Sequence, residues 1–290
     1  MISKMGSVAG LAEATASSGQ RRWILFAIVA SGIWASITLN LYPALLVPGQ
    51  GGLAVVADFF FYALSPATTY QSIVPEGTTP LAIQALLAAW HTVQFAAAAM
   101  GLSLIGGISL GFLSSYSLMI ETRRGITRVI GGTIYAVARL TITLMRSIHE
   151  LLWAVLFLAA FGISQLGAVI ALALPCAGIL AKIFSELIDE TPRHAAHAAA
   201  AAGASPIQIY CFILAPQALP NILAYSFYRF ECALRSSAVL GFFGYPTLGF
   251  YIAASFENLY YGEVWVYLYT LFLLVAAVDL WSGAIRKRLA

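Results

Sequence analysis

The chain has 290 residues, 61% of them hydrophobic and only 9% charged, with a mean hydropathy of +0.87. A soluble domain carries about a quarter charged residues, so this composition excludes a water-solvated globular protein and makes lipid the solvent for most of the surface. The net charge of +3 is small, and the positions of the charges say more than their sum.

Residues 1–22 are polar and small, ending in Arg21-Arg22 before a long apolar run. The run RRWILF is similar to a twin-arginine export signal, but no small-x-small cleavage site follows it. The segment is expected to be a cytoplasmic tail leading into a first membrane helix over 23–41. A bilayer core of about 30 Å needs about 20 apolar residues as helix. Five further stretches meet or approach that: Leu86–Leu113, Leu151–Phe161 preceded by an amphipathic stretch Ile134–Ser147, Leu166–Phe184, Leu219–Phe243 and Val264–Trp281.

Lys and Arg set the orientation. With the N-terminus inside, Lys4, Arg21, Arg22, Arg123, Arg124, Arg128, Arg193, Arg286, Lys287 and Arg288 all fall on inner segments. The outer segments 42–82, 162–165 and 244–262 contain no Lys or Arg. Both termini are therefore expected in the cytoplasm. The external segment 42–83 is broken by Pro43, Pro48, Pro66, Pro75 and Pro80. Between the breakers, Leu53–Leu64 is too short to span and is expected to lie as a helix at the outer interface. A docking surface for an external partner is the alternative use of that segment.

The stretch 187–216, between the fourth and fifth spans, is the most informative. Pro192 is expected to start a helix that Ala195–Ala202 continues, alanine being the best helix former. Gly203 ends it, and Ser205-Pro206 can begin a second helix as N-cap and first residue. The expected product is two short helices around a sharp turn on the inner side, with small residues that admit another backbone or a groove.

Three charges fall inside the fifth span. Arg229 lies ten residues past Leu219, about 15 Å along a helix and so near mid-bilayer, where an arginine costs roughly 2.5–3.5 kcal/mol. Glu231 and Arg235 are four apart and can pair, whereas Arg229 projects away from Glu231. Two readings stay open: these residues line a substrate path, or they form an ion pair plus a snorkelling arginine that fixes packing. Arg146, Ser147 and Glu150 begin the third span, with the same choice between a gate and pairing to a neighbouring helix. Gly241, Gly244 and Gly249 allow a broken helix or re-entrant turn at the outer end of span five. His91 is expected to be a hydrogen-bonded core residue. His194 and His197 share one helix face without a visible third metal ligand. Cys176, Cys211 and Cys232 lack metal-ligand spacing and are expected to be packing residues without a disulfide.

The run from His197 resembles the coupling loop of binding-protein-dependent ABC permeases, E-A-A-x3-G-x9-I-x-L-P. His197, Ala198, Ala199, Gly203, Ile213 and Pro216 stand at that spacing, with His197 replacing Glu and Ala215 replacing Leu. RSIHELLWAVLFLAAFG (146–162) and YRFECALRSSAVLGFFG (228–244) are similar to segments of the phosphonate permease family, with His149 in place of Pro and YPTLG (245–249) in place of AGGIG. The resemblance covers about 84–290. It implies an all-α membrane protein of six transmembrane helices with the type I ABC importer permease fold, and an 84–290 five-helix core. It also implies that Arg193, His194, His197, Ala198, Ala199, Gly203, Ala204 and Ser205 dock a cytoplasmic ABC ATPase dimer. Arg146, Ser147, Glu150, Arg229, Glu231, Arg235, Gly244 and Gly249 would then form the path or gate.

Further implied partners are a second permease subunit, either the same chain or a related one, and an external solute-binding protein. The implied cargo is a small phosphorus oxyanion. The chain has no G-x-x-x-x-G-K-[ST] loop, so ATP and Mg would sit on the partner, and no cofactor is expected here. No catalytic constellation points to an enzyme, and no basic, aromatic patch points to nucleic acid. The rivals are an ABC permease for another small anion, an ion-gradient-driven transporter and a membrane scaffold. The second of these predicts an inverted repeat, which the sequence does not display.

Overall fold

The computed structural model describes residues 5–40, 49–75, 77–121 and 125–289. Lys4, Pro43, Pro48, Glu76, Arg123, Arg124 and the Arg21 side chain lie outside the described residues. The chain divides into two compact units, residues 1–60 and 61–290. In the first, α1 (Met5–Thr38) is a single helix whose apolar part runs over Arg22–Thr38. The helix α2 (Gln50–Leu64) has 15 residues, too few to span.

The second unit is entirely helical among its described residues. Its long helices are α3 (Leu81–Leu113), α4 (Ile126–Ser147), α6 (Gln165–Asp189), α9 (Ala215–Val239) and α11 (Tyr261–Leu289). Between α4 and α6 lies α5 (Glu150–Phe161); between α6 and α9 lie α7 (His194–Ala201) and α8 (Pro206–Ile209); α10 (Leu248–Glu257) precedes α11. Among the described residues, five helices are long and apolar enough to cross a bilayer: Leu81–Leu113, Ile126–Ser147, Gln165–Asp189, Pro206–Val239 and Tyr261–Arg288.

The centre of the bundle is the α3–α6 pair. Small residues bring the two backbones together, the usual device where lipid removes the hydrophobic drive between helices. A Cβ on Gly107 would come within 2.7 Å of the Leu180 Cβ, and Gly111 packs on Ala181 and Phe184. The Ser103 hydroxyl donates to the Ala173 carbonyl at 3.1 Å. These contacts advance together along both chains, so α3 and α6 run parallel. By contrast, α4 opposes α6: Arg139 meets Glu186, and Met145 and Arg146 pack on Gly178.

Two expectations about the spans are corrected. The third was expected over Leu151–Phe161, but that helix has only 12 residues, and the crossing-length element is the 22-residue α4 before it. The helix breaks at Ile148 and His149, both extended, before α5 starts. The fifth span was expected to begin at Leu219. Instead α8 runs through a π-helical stretch, Tyr210–Leu214, straight into α9, giving 34 residues. Pro216 lacks an N–H donor. The widened turn just before it, in which the Ala215 amide reaches back to the Tyr210 carbonyl, carries the helix past it.

Beyond α9, a 3₁₀ turn (Leu240–Phe243) leads to Gly244, whose φ of +89° suits glycine. The chain then reverses into α10. Here glycine is needed for close approach: a Cβ on Gly249 would overlap the Ala238 carbonyl, and one on Gly241 the Phe250 amide. The reversal is pinned by a buried node. Thr92 receives the Leu248 amide at 3.1 Å on its hydroxyl, and Ser237 donates to the Thr92 carbonyl at 3.0 Å. Tyr245 is buried, with its ring against Phe95 and its hydroxyl on both backbone groups of Ser164.

Candidate functional site

Two sites emerge, one at the break between α4 and α5 and one at the turn between α6 and α9. The break between α4 and α5 brings the first together. Gly178, on which Arg146 packs, is about 20 Å along α6 from Gln165 at 1.5 Å per residue, in a helix about 37 Å long. The break therefore sits at the middle of α6, where Arg146 and Glu150 had been expected at the start of a span. They are also on different helices, Arg146 in the last turn of α4 and Glu150 in the first turn of α5.

Glu150, Pro175, Cys176, Arg229, Ala233 and Ser236 line a cavity of about 30 Å³, enough for a water or two. Pro175 lies within α6 and removes one helix hydrogen bond beside it. Glu150 accepts from the Ser236 hydroxyl at 2.9 Å, and its other oxygen lies 3.7 Å from the His149 ring. His149 Nδ1 receives the Leu151 amide at 3.3 Å, capping α5. Arg229 contacts the Cys176 sulfur, while its buried Nε has no hydrogen-bond partner. Among the described residues no carboxylate is within ion-pair distance of Arg229. Glu231 and Arg235 form the expected pair at 2.9 Å. Arg146 and Ser147 are exposed, while Gly244 and Gly249 belong to the reversal between α9 and α10.

The second site is the turn between α6 and α9. Helix α7 starts at His194 rather than Pro192. Gly203, at φ +88°, closes it, with the Gly203 and Ala204 amides reaching back to Ala200 and Ala199. Ser205 and Gln208 form a reciprocal capping box with Pro206 at the first helical position. Gln208 was missed in the sequence, although S-x-x-Q just before an apolar run is the signature. The loop presents His194, His197, Ala198, Gly203 and Ser205 to the outside, whereas Ala199 and Ala204 pack inward against the Ile209–Tyr210–Leu214 cluster. Ser117, Arg193, His197, Pro206 and Tyr210 line a cavity of about 370 Å³ beside it.

Asp189, which the sequence reading did not single out, holds this turn to the C-terminal end of α3. One oxygen accepts from the Ser115 and Ser117 hydroxyls, each at 2.8 Å, and from the Ser117 amide at 3.1 Å. The other accepts from the Tyr116 amide at 2.9 Å. Arg193 donates to the Asp189 carbonyl at 2.7 Å and lies 3.9 Å from its carboxylate. Its aspartate-before-turn position was the only local signal.

The remaining expectations fall as follows. His91 is exposed and hydrogen-bonded to Gln94 at 3.1 Å, not a core residue. Cys176 is buried, Cys232 intermediate and Cys211 exposed, all three being free. Among the described residues no cluster of His, Cys, Asp or Glu could hold a metal.

Several known proteins are similar to this chain. The phosphite transport system permease protein PtxC of Stutzerimonas stutzeri is 35% identical over 53% of the chain and 56% of its own length. The phosphate-import permease protein PhnE of Mycolicibacterium smegmatis is 33% identical over 62% of the chain and 34% of its own length. The chain thus spans about half or less of these relatives. Among solved structures, an inward-facing MetNI methionine ABC transporter superposes with a TM-score of 0.61 at 22% identity, covering 72% of this chain and 97% of that one. An ABC transporter that imports alginate gives 0.54 at 16% identity over 93% and 96%. These likenesses carry the fold. Residues 107–290 match the family described as binding-protein-dependent transport system inner membrane component, and the chain, with its multi-pass bundle and its α7–α8 helix–turn–helix, belongs to that family.

Proposed function

We propose that this chain is the permease subunit of an ATP-driven importer of a small phosphorus oxyanion such as phosphonate, phosphite or hypophosphite. The observation that carries the reading is the broken helix halfway along α6, where Glu150 and Arg229 line one small cavity. Discontinuous helices with charged residues near the midplane are the common build of substrate sites in transporters. An arginine without a carboxylate partner suits a passing anion. Two subunits would face two such sites toward one path. Both termini lie in the cytoplasm in this reading, with α1 as a sixth span and α2 at the outer interface. The α7–α8 turn docks a cytoplasmic ATPase dimer that binds ATP and Mg, a second permease subunit completes the path, and a solute-binding protein delivers cargo outside. The names of the similar permeases support the choice of cargo.

The test is uptake. The chain is co-expressed with its ATPase and binding protein in cells lacking their own phosphorus-oxyanion importers, and phosphate, phosphite, hypophosphite and methylphosphonate are supplied in turn. ATP-dependent uptake of one of them is expected, and Ala198→Glu should abolish it. Ala198 is exposed, so that loss reports on docking, which the inward-packed Ala204 would not. A complex that assembles and hydrolyses ATP but transports none of the four would overturn the cargo and keep the permease.

A further inference from the structure

At the end of the bundle opposite the coupling turn, a cavity of about 390 Å³ opens among the outer ends of α3, α10 and α11. Its walls include Tyr70, Tyr251 and Tyr267, with the last two rings stacked at 5.3 Å. Glu263 also lines it and is 4% exposed. One of its oxygens accepts the Gln71 amide at 2.6 Å and the Ser72 amide at 3.2 Å, and the other accepts the Ser255 hydroxyl at 3.3 Å. All three donors are neutral. An ionised carboxylate offers about four acceptor positions, so one remains open.

A buried charge is ordinarily paired with an opposite charge, and among the described residues no cation stands within ion-pair distance of Glu263. The stretches of the second unit that build this end lie within 61–122, 147–181 and 236–285, and none contains a Lys or Arg. Aromatic faces beside a carboxylate favour a cation. The cavity has room for a long side chain, with the exposed Asn258 among the residues lining it.

We propose that this tyrosine-walled pocket receives a lysine or arginine side chain of the external solute-binding protein, with Glu263 as its counter-charge. The inference rests on the transport reading above and adds the place and chemistry of the outer contact. Charge complementarity selects the occupant: a face without basic residues, holding a buried anion, fits a basic partner.

The test measures affinity of the binding protein for the assembled permease–ATPase complex in lipid nanodiscs. Glu263→Gln removes the charge, keeps a carbonyl oxygen for the Gln71 and Ser72 amides, and turns an NH2 donor toward the Ser255 hydroxyl, which can accept it. It should weaken binding at least tenfold, and Asn258→Arg, which places a cation at the pocket, should weaken it similarly. Glu257→Gln, an exposed acid on the same face, should change it less than twofold. Unchanged affinity in Glu263→Gln overturns the proposal. So does lowered thermal stability in Glu263→Gln together with normal binding by Asn258→Arg, which would make Glu263 only a clamp for residues 71–72. Stabilisation of the isolated permease by millimolar tetramethylammonium would assign the pocket to a free cation and overturn the docking. A wild-type complex that transports but binds no such protein overturns this inference alone; one that never transports overturns the reading beneath it.

Discussion

Asp189 and Arg229 are both charged residues on long apolar helices, yet their surroundings are opposite. Asp189 is saturated, its two oxygens taking four hydrogen bonds from residues 115–117 and Arg193 closing over it. Arg229 has a sulfur neighbour, a small cavity and a buried Nε with no acceptor. A saturated charge fixes two elements to one another, because moving either one strands polar groups. An unsaturated one keeps binding capacity in reserve. In the transport reading, the contrast separates a joint that holds from a site that exchanges partners.

The contrast can be broken in order of expected size. Asp189→Ala strands the Ser115–Ser117 donors and should cost about 3 kcal/mol, within the range for hydrogen bonds to a charged group. It would appear as a lower melting temperature in detergent and a reduced folded yield. Arg229→Gln should leave the melting temperature near wild type but cut uptake by about tenfold, or about 1.4 kcal/mol. If Arg229 only packs the bundle, stability falls and uptake per folded complex holds. Ser205→Ala removes half of the capping box and should cost about 1 kcal/mol, read as faster proteolysis at the inner turn. Lys182→Met breaks a half-exposed pair with Glu186 at 3.6 Å and should shift stability by less than about 0.5 kcal/mol. A larger loss there would mean that the Arg139–Lys182–Glu186 group acts as a unit.

Tyr245 shows how a sequence departure changes meaning in three dimensions. In the sequence, YPTLG (245–249) stands where the phosphonate permease family has AGGIG. In the structure Tyr245 and Thr247 are both buried, the first bonded to Ser164 and the second to Ala238. Swapping the segment for Ala-Gly-Gly should therefore lower stability before it changes selectivity.

Signals that act within a turn or two were legible in the chain. Low charge and long apolar runs determined the membrane class. Gly203 and Ser205-Pro206 determined the turn between two helices, and the glycines after span five determined its reversal. Each depends on backbone conformation or on neighbours a few residues away. Tertiary structure decided what depends on distant partners. Span three was misread because hydropathy cannot tell where along a neighbouring helix a break will lie; only packing on Gly178 sets the 147–149 break at mid-depth. Asp189 meets partners more than 70 residues away and Glu263 more than 190 away. A carboxylate in a sequence looks the same whether water, a backbone amide or nothing in its own chain satisfies it, and burial alone makes the difference costly.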